Sequence, residues 1–233
     1  MNTRPTSGYY REACNRLALC YDPLMRLLGR AVGGEHQVRR DMVEQAGLSP
    51  GERVLDVGCG TGTLAVLMAQ KVGTSGEIVG IDLSSRMIER ARRKALLPQL
   101  KFYQQNIEAI NFPDGYFDAV TATYVLHEMS RAARCNTLRE MRRVLKPGGR
   151  LLVVDIYRPG GKFRYAVFRL LMLLENPTAW DFLDHGLLNE LGEAGFENIR
   201  QSFIVHDLVP ATLAVNPLPA QKVGDGTDVQ QHD

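Results

Sequence analysis

"RVLDVGCGTGTLAVLMA", Arg53 to Ala69, decides the fold. Val54, Leu55 and Val57 make a short apolar run with one acid in it, Asp56. Gly58, Gly60 and Gly62 then fall at every second position, and from Thr63 onward the pattern is helical. A strand therefore hands over to a helix across a glycine turn. Glycines let the backbone take positive φ and let a ligand approach closely. In an open parallel sheet such a turn stands at the carboxyl end of a strand, where ligands bind.

Outward from this turn, short apolar runs alternate with longer helical patterns. The runs are "RVLDVG" (53–58), "EIVGID" (77–82), "LKFYQQ" (100–105), "FDAVTAT" (117–123) and "RLLVVDIY" (150–157). Between them lie "TLAVLMAQKVG", "SSRMIERARRKALL" and "SRAARCNTLREMRRVL", and in the last Ala133, Leu138, Met141, Val144 and Leu145 share one helical face. This alternation predicts βαβ units, hence a parallel sheet with helices on both faces. Further on, "FRYAVFRLLMLL" (163–174) predicts an apolar helix or lid, and "DFLDHGLLNELGEAG" (181–195) one amphipathic helix capped by Gly195. "FENIRQSFIV" and "LVPATLAV" predict two final strands. The expected organisation is a helical N-terminal cap (1–45), one domain (46–215) with a lid-like insertion at about 160–180, and a disordered tail (216–233) rich in Pro, Gly and Asp.

Composition excludes several function classes. The chain has 233 residues, 45% hydrophobic and 23% charged, with a net charge of +2, so no bulk charge draws it to nucleic acid. The opening "MNTRPTSGYY" has no apolar core of a signal peptide, and no apolar run reaches the ~20 residues of a membrane helix. Cys14, Cys20, Cys59 and Cys135 form no CxxC pair and no zinc spacing, so no metal site is expected and the plain reading is a reduced, cytoplasmic protein.

A dinucleotide turn needs G-x-G-x-x-G. Counted from Gly58, the third glycine falls at Thr63; counted from Gly60 it falls at Ala65, a weak match two residues into the helix. There is no G-x-x-x-x-G-K-[ST], so a P-loop is excluded. "VLDVGCGTG" instead resembles the first motif of class I S-adenosylmethionine-dependent methyltransferases. "GIDLS", "QQNIEAINFPDGYFDAV" and "REMRRVLKPGGRLLVVD" resemble that family's following segments, from about Gly47 to Tyr157, with "LLNELGEAGFENI" continuing more loosely. The resemblance implies a Rossmann-like, seven-stranded, mostly parallel sheet with an antiparallel C-terminal hairpin. It also implies S-adenosylmethionine as cofactor. Asp56 would hold its ammonium end, with Gly58, Gly60 and Gly62 along its backbone side, Asp82 on the ribose hydroxyls, and Leu83 and Met87 flanking adenine. "YD" at Tyr21-Asp22 and "DGYFDAVTATYVL" are similar to the enzymes that methylate ubiquinone and menaquinone precursors. By that resemblance Tyr21, Thr61, Asn106, Ile107 and Thr123 join the cofactor contacts. The subgroup's Arg-Asn pair after the fourth strand is replaced here by His127-Glu128.

His127 follows the fourth strand at the ligand edge and is the candidate general base; Glu128 either orients it or is simply a favourable acid in a first helical turn, and Asp155 and Tyr157 face the same edge as weaker candidates. A helix-start histidine with no chemistry is the competing reading. Charge is unevenly spread: residues 131–169 hold eleven Lys/Arg and two acids, whereas 175–207 hold seven acids and one Arg. Two mutually complementary faces explain this, or a basic face that meets anionic lipid at the membrane periphery. The expected activity is methyl transfer to a small, lipophilic acceptor, a quinone precursor or lipid-like molecule. The alternatives are a non-catalytic S-adenosylmethionine-binding protein that regulates or assembles another, and a nicotinamide-dependent oxidoreductase.

Overall fold

A computed structural model describes residues 34–172, 177–204 and 209–219. Tyr21, most of the N-terminal cap and residues 220–233 of the expected tail lie outside the described residues. Helix α1 (Glu35–Gln45) leads into strand β1 (Arg53–Val57), α2 (Thr63–Val72), β2 (Glu77–Asp82), α3 (Ser85–Lys94), β3 (Leu100–Gln104) and β4 (Phe117–Thr123). A 3₁₀ turn (Leu126–Glu128), α4 (Arg131–Val144) and β5 (Leu145–Val154) follow. Then come α5 (Lys162–Leu171), α6 (Pro177–His185), α7 (Leu187–Glu193), β6 (Glu197–Ile204) and β7 (Val209–Val215).

The seven strands form one sheet in the order β3-β2-β1-β4-β5-β7-β6, with β1 to β5 parallel and β7 antiparallel to both β5 and β6. This is the Rossmann-like arrangement with an antiparallel hairpin. Strand order reverses between β1 and β4, so the carboxyl ends of those two strands flank the natural crevice. Side chains alternate between two buried layers. Leu55 and Val57 of β1 join Leu138 and Met141 of α4 and Phe182 of α6 on one face. Val54 joins Met42 of α1, Met68 of α2 and Ile88 of α3 on the other. Burial on both faces explains why these strands read as apolar runs rather than as alternation.

Three expectations are corrected. β5 starts at Leu145, not Arg150, because Leu145 pairs with Phe117 before Lys146–Gly149 bulge out and pairing resumes at Arg150. It ends at Val154, which leaves Asp155 beyond the strand. Asn216, assigned to the tail, is buried and staples that bulge: its Nδ2 donates to the Leu145 carbonyl at 2.9 Å, and its backbone exchanges two 2.8 Å bonds with Gly148 and Gly149. The single helix expected over 181–195 is two helices, because Gly186 takes φ 78° between them. Part of the charge asymmetry resolves into complementary faces. Arg131 pairs with Glu193, Arg158 with Asp184, and the fully buried Arg134 with Glu190 and Asp181. Arg134 also donates to the Met129 carbonyl at 2.7 Å, which ties α6 and α7 to the end of the 3₁₀ turn.

Candidate active site

The glycine turn is clamped from below and open above. The N–H groups of Gly58 and Cys59 both donate to the Ile81 carbonyl, at 2.8 and 3.0 Å. A Cβ on Gly58 would stand 2.6 Å from Val125, and one on Gly62 2.5 Å from the Phe102 ring, so both positions are closed to side chains by their neighbours. Gly60 differs. It has φ 52°, and a Cβ there would meet nothing within 4 Å. Its N–H donates to Asp82 Oδ2 at 3.0 Å, while Asp82 Oδ1 accepts from the Ser84 N–H at 2.8 Å. Asp82 thus braces the turn, and burial raises its pKa against the pull of these amides. Thr61 is buried, and its hydroxyl accepts from Lys94 Nζ at 2.9 Å; Lys94 also reaches Thr63 at 2.8 Å. Cys59 is buried, and burial pushes its thiol well up, which removes it from nucleophilic chemistry.

Asp56 is 1% exposed. Its Oδ1 accepts from Thr121 Oγ1 at 2.8 Å, whereas Oδ2 has no partner among the described residues. Burial raises its pKa to about 7, with the Thr121 bond and the charge of Arg39 pulling the other way. An orphaned buried carboxylate oxygen is costly unless a ligand completes it. Leu83 and Met87 are nearly buried where β2 passes into α3, and Ile107 lies in the core behind the turn after β3. Asn106 Oδ1 accepts from the Glu108 N–H at 3.1 Å, and Thr123 ends β4 opposite Val154.

His127 is 7% exposed, in the 3₁₀ turn. Its ring Nδ1 lies 2.5 Å from Asp155 Oδ1, so Asp155 is the acid on its ring. Tyr157 packs its ring against Phe203 at 5.1 Å between centroids. Beside Asp155 a cavity of about 290 Å³ opens, lined among others by Ile156, Phe182, Leu187, Pro210 and Thr212. Sequence reasoning missed Thr121, Lys94 and Val125. Thr121 lies opposite Asp56 in the β1–β4 register, a signal that exists only once the strand order is known. Among the described residues there is no cluster able to hold a metal ion and no helix long and apolar enough to cross a membrane.

The profile of a methyltransferase domain family matches residues 48–182. The chain belongs to the class I S-adenosylmethionine-dependent methyltransferases. It is 36% identical over 182 residues to an uncharacterized methyltransferase of Synechocystis, covering 78% of this chain and 84% of that one. To the ubiquinone/menaquinone biosynthesis C-methyltransferase UbiE of Yersinia pestis it is 30% identical, over 87% of this chain and 88% of the relative. The crystal structure of an S-adenosylmethionine-dependent methyltransferase from Aquifex aeolicus superposes with a TM-score of 0.60 at 23% identity, covering 76% and 88% of the two chains; that likeness speaks to the fold. The nicotinamide-dependent alternative is thereby set aside. The methyltransferase's crevice fits the cofactor. The unpartnered Oδ2 of Asp56 suits a cationic ammonium end, and the open face of Gly60 admits a ligand against the backbone. The cofactor supplies the methyl group as an electrophile on a sulfonium.

Proposed function

We propose that this methyltransferase acts on a small, lipophilic acceptor of the quinone-precursor class. Asp56, Gly58, Gly60, Thr61, Gly62, Asp82, Leu83, Met87, Asn106, Ile107, Thr123 and Tyr21 hold the cofactor, and His127 takes a proton from the acceptor. The observation that carries the cofactor half is the buried, unpartnered oxygen of Asp56 next to the open Gly60. The acceptor half is supported by similarity to a ubiquinone/menaquinone biosynthesis C-methyltransferase over most of the chain. His127-Glu128 in place of that subgroup's Arg-Asn argues for a related ring rather than the same substrate.

The protein would meet such an acceptor in the cytoplasm, at the periphery of the membrane. Helix α5 supports this. Lys162, Ala166, Arg169 and Leu170 fall on one exposed stripe, with Leu170 67% exposed, and Lys162, Arg164 and Arg169 have no acidic partner among the described residues. Apolar and basic side chains together suit an anionic lipid surface. The test is formation of S-adenosylhomocysteine with a panel of hydroquinones, catechols and simple phenols, each with and without a short prenyl chain. Prenylated naphtho- or benzohydroquinones should be the best acceptors. Preference for an untailed, polar phenol would overturn the lipophilic reading.

A further inference from the structure

The carboxyl ends of β4 and β5 emerge side by side, since Thr123 pairs with Val154 in the parallel register. Asp155 follows β5 directly, 2% exposed, and its carboxylate collects four donors. Oδ2 accepts from the backbone N–H groups of Leu126 at 2.9 Å and His127 at 3.4 Å. Oδ1 accepts from the Ile156 N–H at 2.8 Å and from the His127 ring at 2.5 Å. The amides hold the 3₁₀ turn, and the ring contact orients the imidazole. An ionised carboxylate only accepts, so Nδ1 carries the proton and Nε2 is the basic nitrogen. The turn is fixed at its other end as well, because Val125 packs against Gly58 of the cofactor turn.

We propose that Asp155 is the positioning residue of a His127–Asp155 pair, and that the pair matches an acceptor whose methylated atom must lose a proton: a phenolic or hydroquinone hydroxyl, or a ring carbon activated by one. The inference rests on the reading of His127 as base. The acceptor's O–H bond breaks, and its proton forms an N–H bond at Nε2. In O-methylation the oxygen pair left behind forms the bond to the methyl carbon; in C-methylation that pair forms a carbonyl while the ring π pair at the activated carbon bonds the methyl carbon, and the carbon's own proton is lost to solvent afterwards, its C–H pair restoring the ring and the carbonyl pair returning to oxygen. In both, the pair of the old sulfur–carbon bond stays on sulfur. The imidazolium so formed keeps the negative Asp155 carboxylate against its other nitrogen. Without that carboxylate, a second positive charge would build up in a crevice shaped for a cationic cofactor. An acceptor with a lone pair and no proton to lose gives the pair nothing to do.

Asp155→Asn separates the roles. In that variant the amide oxygen serves the Leu126 and His127 N–H groups, and the amide NH₂ turns to the ring, at the cost of the Ile156 N–H bond. The ring then accepts at Nδ1 and carries its proton on Nε2. The measurement is ¹⁵N–¹H NMR of the full chain with labelled histidine, saturated with S-adenosylhomocysteine. Wild type should show the Nδ1–H tautomer of His127, and the variant the Nε2–H tautomer. The affinity for S-adenosylhomocysteine should stay within about twofold. With a prenylated naphthohydroquinone, kcat should fall roughly a hundredfold to ten-thousandfold, the range of a general base, with KM within a few-fold. His127→Gln should lose kcat alike. If His127→Gln keeps full turnover, the base reading itself fails. If His127→Gln loses turnover while Asp155→Asn switches tautomer and keeps it, the base stands and the positioning role of Asp155 is overturned. A loss of cofactor affinity in step with turnover overturns it too, by assigning Asp155 to the architecture of the turn. Should Asp155→Asn not fold, the wild-type spectrum decides, and an Nε2–H tautomer there overturns the proposal.

Discussion

Replacing Asp56 by Asn should stabilise the ligand-free protein at pH 8 and weaken its grip on the cofactor. In the folded chain burial, which penalises the charged form, pushes the carboxyl's pKa up to about 7 from its ordinary 3.8. Between those values the folded state binds more protons than the unfolded one, so stability falls as pH rises. The slope is about 1.4 kcal/mol per pH unit, which makes the whole window worth about 4 kcal/mol. Asn is uncharged throughout. Its oxygen can accept from Thr121, but its NH₂ inherits the unpartnered place of Oδ2, at a cost of about 1–3 kcal/mol. The difference between variant and wild type isolates the carboxyl from other titrating groups. It should move in the variant's favour by about 3 kcal/mol between pH 5 and pH 8, which corresponds to about 6–12 °C in Tm for a chain of this size. Binding should run the opposite way. The cationic end of the ligand needs the ionised form, so wild-type affinity for S-adenosylhomocysteine should be about tenfold weaker at pH 6 than at pH 8. The variant should show a flat profile and, at pH 8, about tenfold to hundredfold weaker binding, the worth of one charged hydrogen bond. Melts of both proteins from pH 5 to 8, with calorimetric titrations at pH 6 and 8, measure all of this. A stability difference independent of pH, or a variant less stable than wild type at pH 8, would refute the argument that Asp56 is an uncompensated buried acid awaiting a cation.

Gly60→Val should abolish S-adenosylhomocysteine binding in calorimetry while far-UV circular dichroism keeps the fold, because the new side chain enters open space above the turn and only the local φ of 52° is strained. Unchanged affinity would remove the ligand from that face. Leu170→Glu should reduce sedimentation with vesicles of mixed phosphatidylglycerol and phosphatidylcholine at low salt, and raised salt should reduce it in wild type as well, since the exposed leucine and the cations of α5 act together. Vesicle binding absent in wild type, or indifferent to the substitution, would return α5 to a role in the fold.

Much of this molecule is legible because its strands are buried on both faces. β1, β2 and β4 fall within a residue of their apolar runs, and β1 and β2 are bounded by glycine or an acid. Where local composition and long-range pairing disagree, pairing prevails. Lys146-Pro147-Gly148-Gly149 has the composition of a turn, yet it lies within β5 as a bulge, because Leu145 has already paired with Phe117 and Asn216 holds the excursion inside the strand. The helix over 181–195 fails for another reason. Phe182, Leu187 and Leu191 continue to meet the same core, so periodicity runs on through Gly186, and only the backbone angle there shows the break.

The site divides along the same line. Asp56, Asp82 and the glycines are readable because the chemistry of the turn lies within a few consecutive residues. Their partners are not. Thr121 is 65 residues from Asp56, and Asp155 is 28 from His127. Both contacts follow from the placing of β4 between β1 and β5. Beside β1, β4 puts its own Thr121 hydroxyl on Asp56, and beside β5 it brings Asp155 behind His127. Strand order therefore does more than form a crevice. With β4 central, Asp56 of the glycine turn and the proposed base His127 are both held by elements that flank or form one strand, and Val125, just past its end, packs directly on Gly58. A shift of β4 along the sheet would disturb cofactor and acceptor geometry together, which is what in-line transfer between two bound molecules requires its scaffold to prevent.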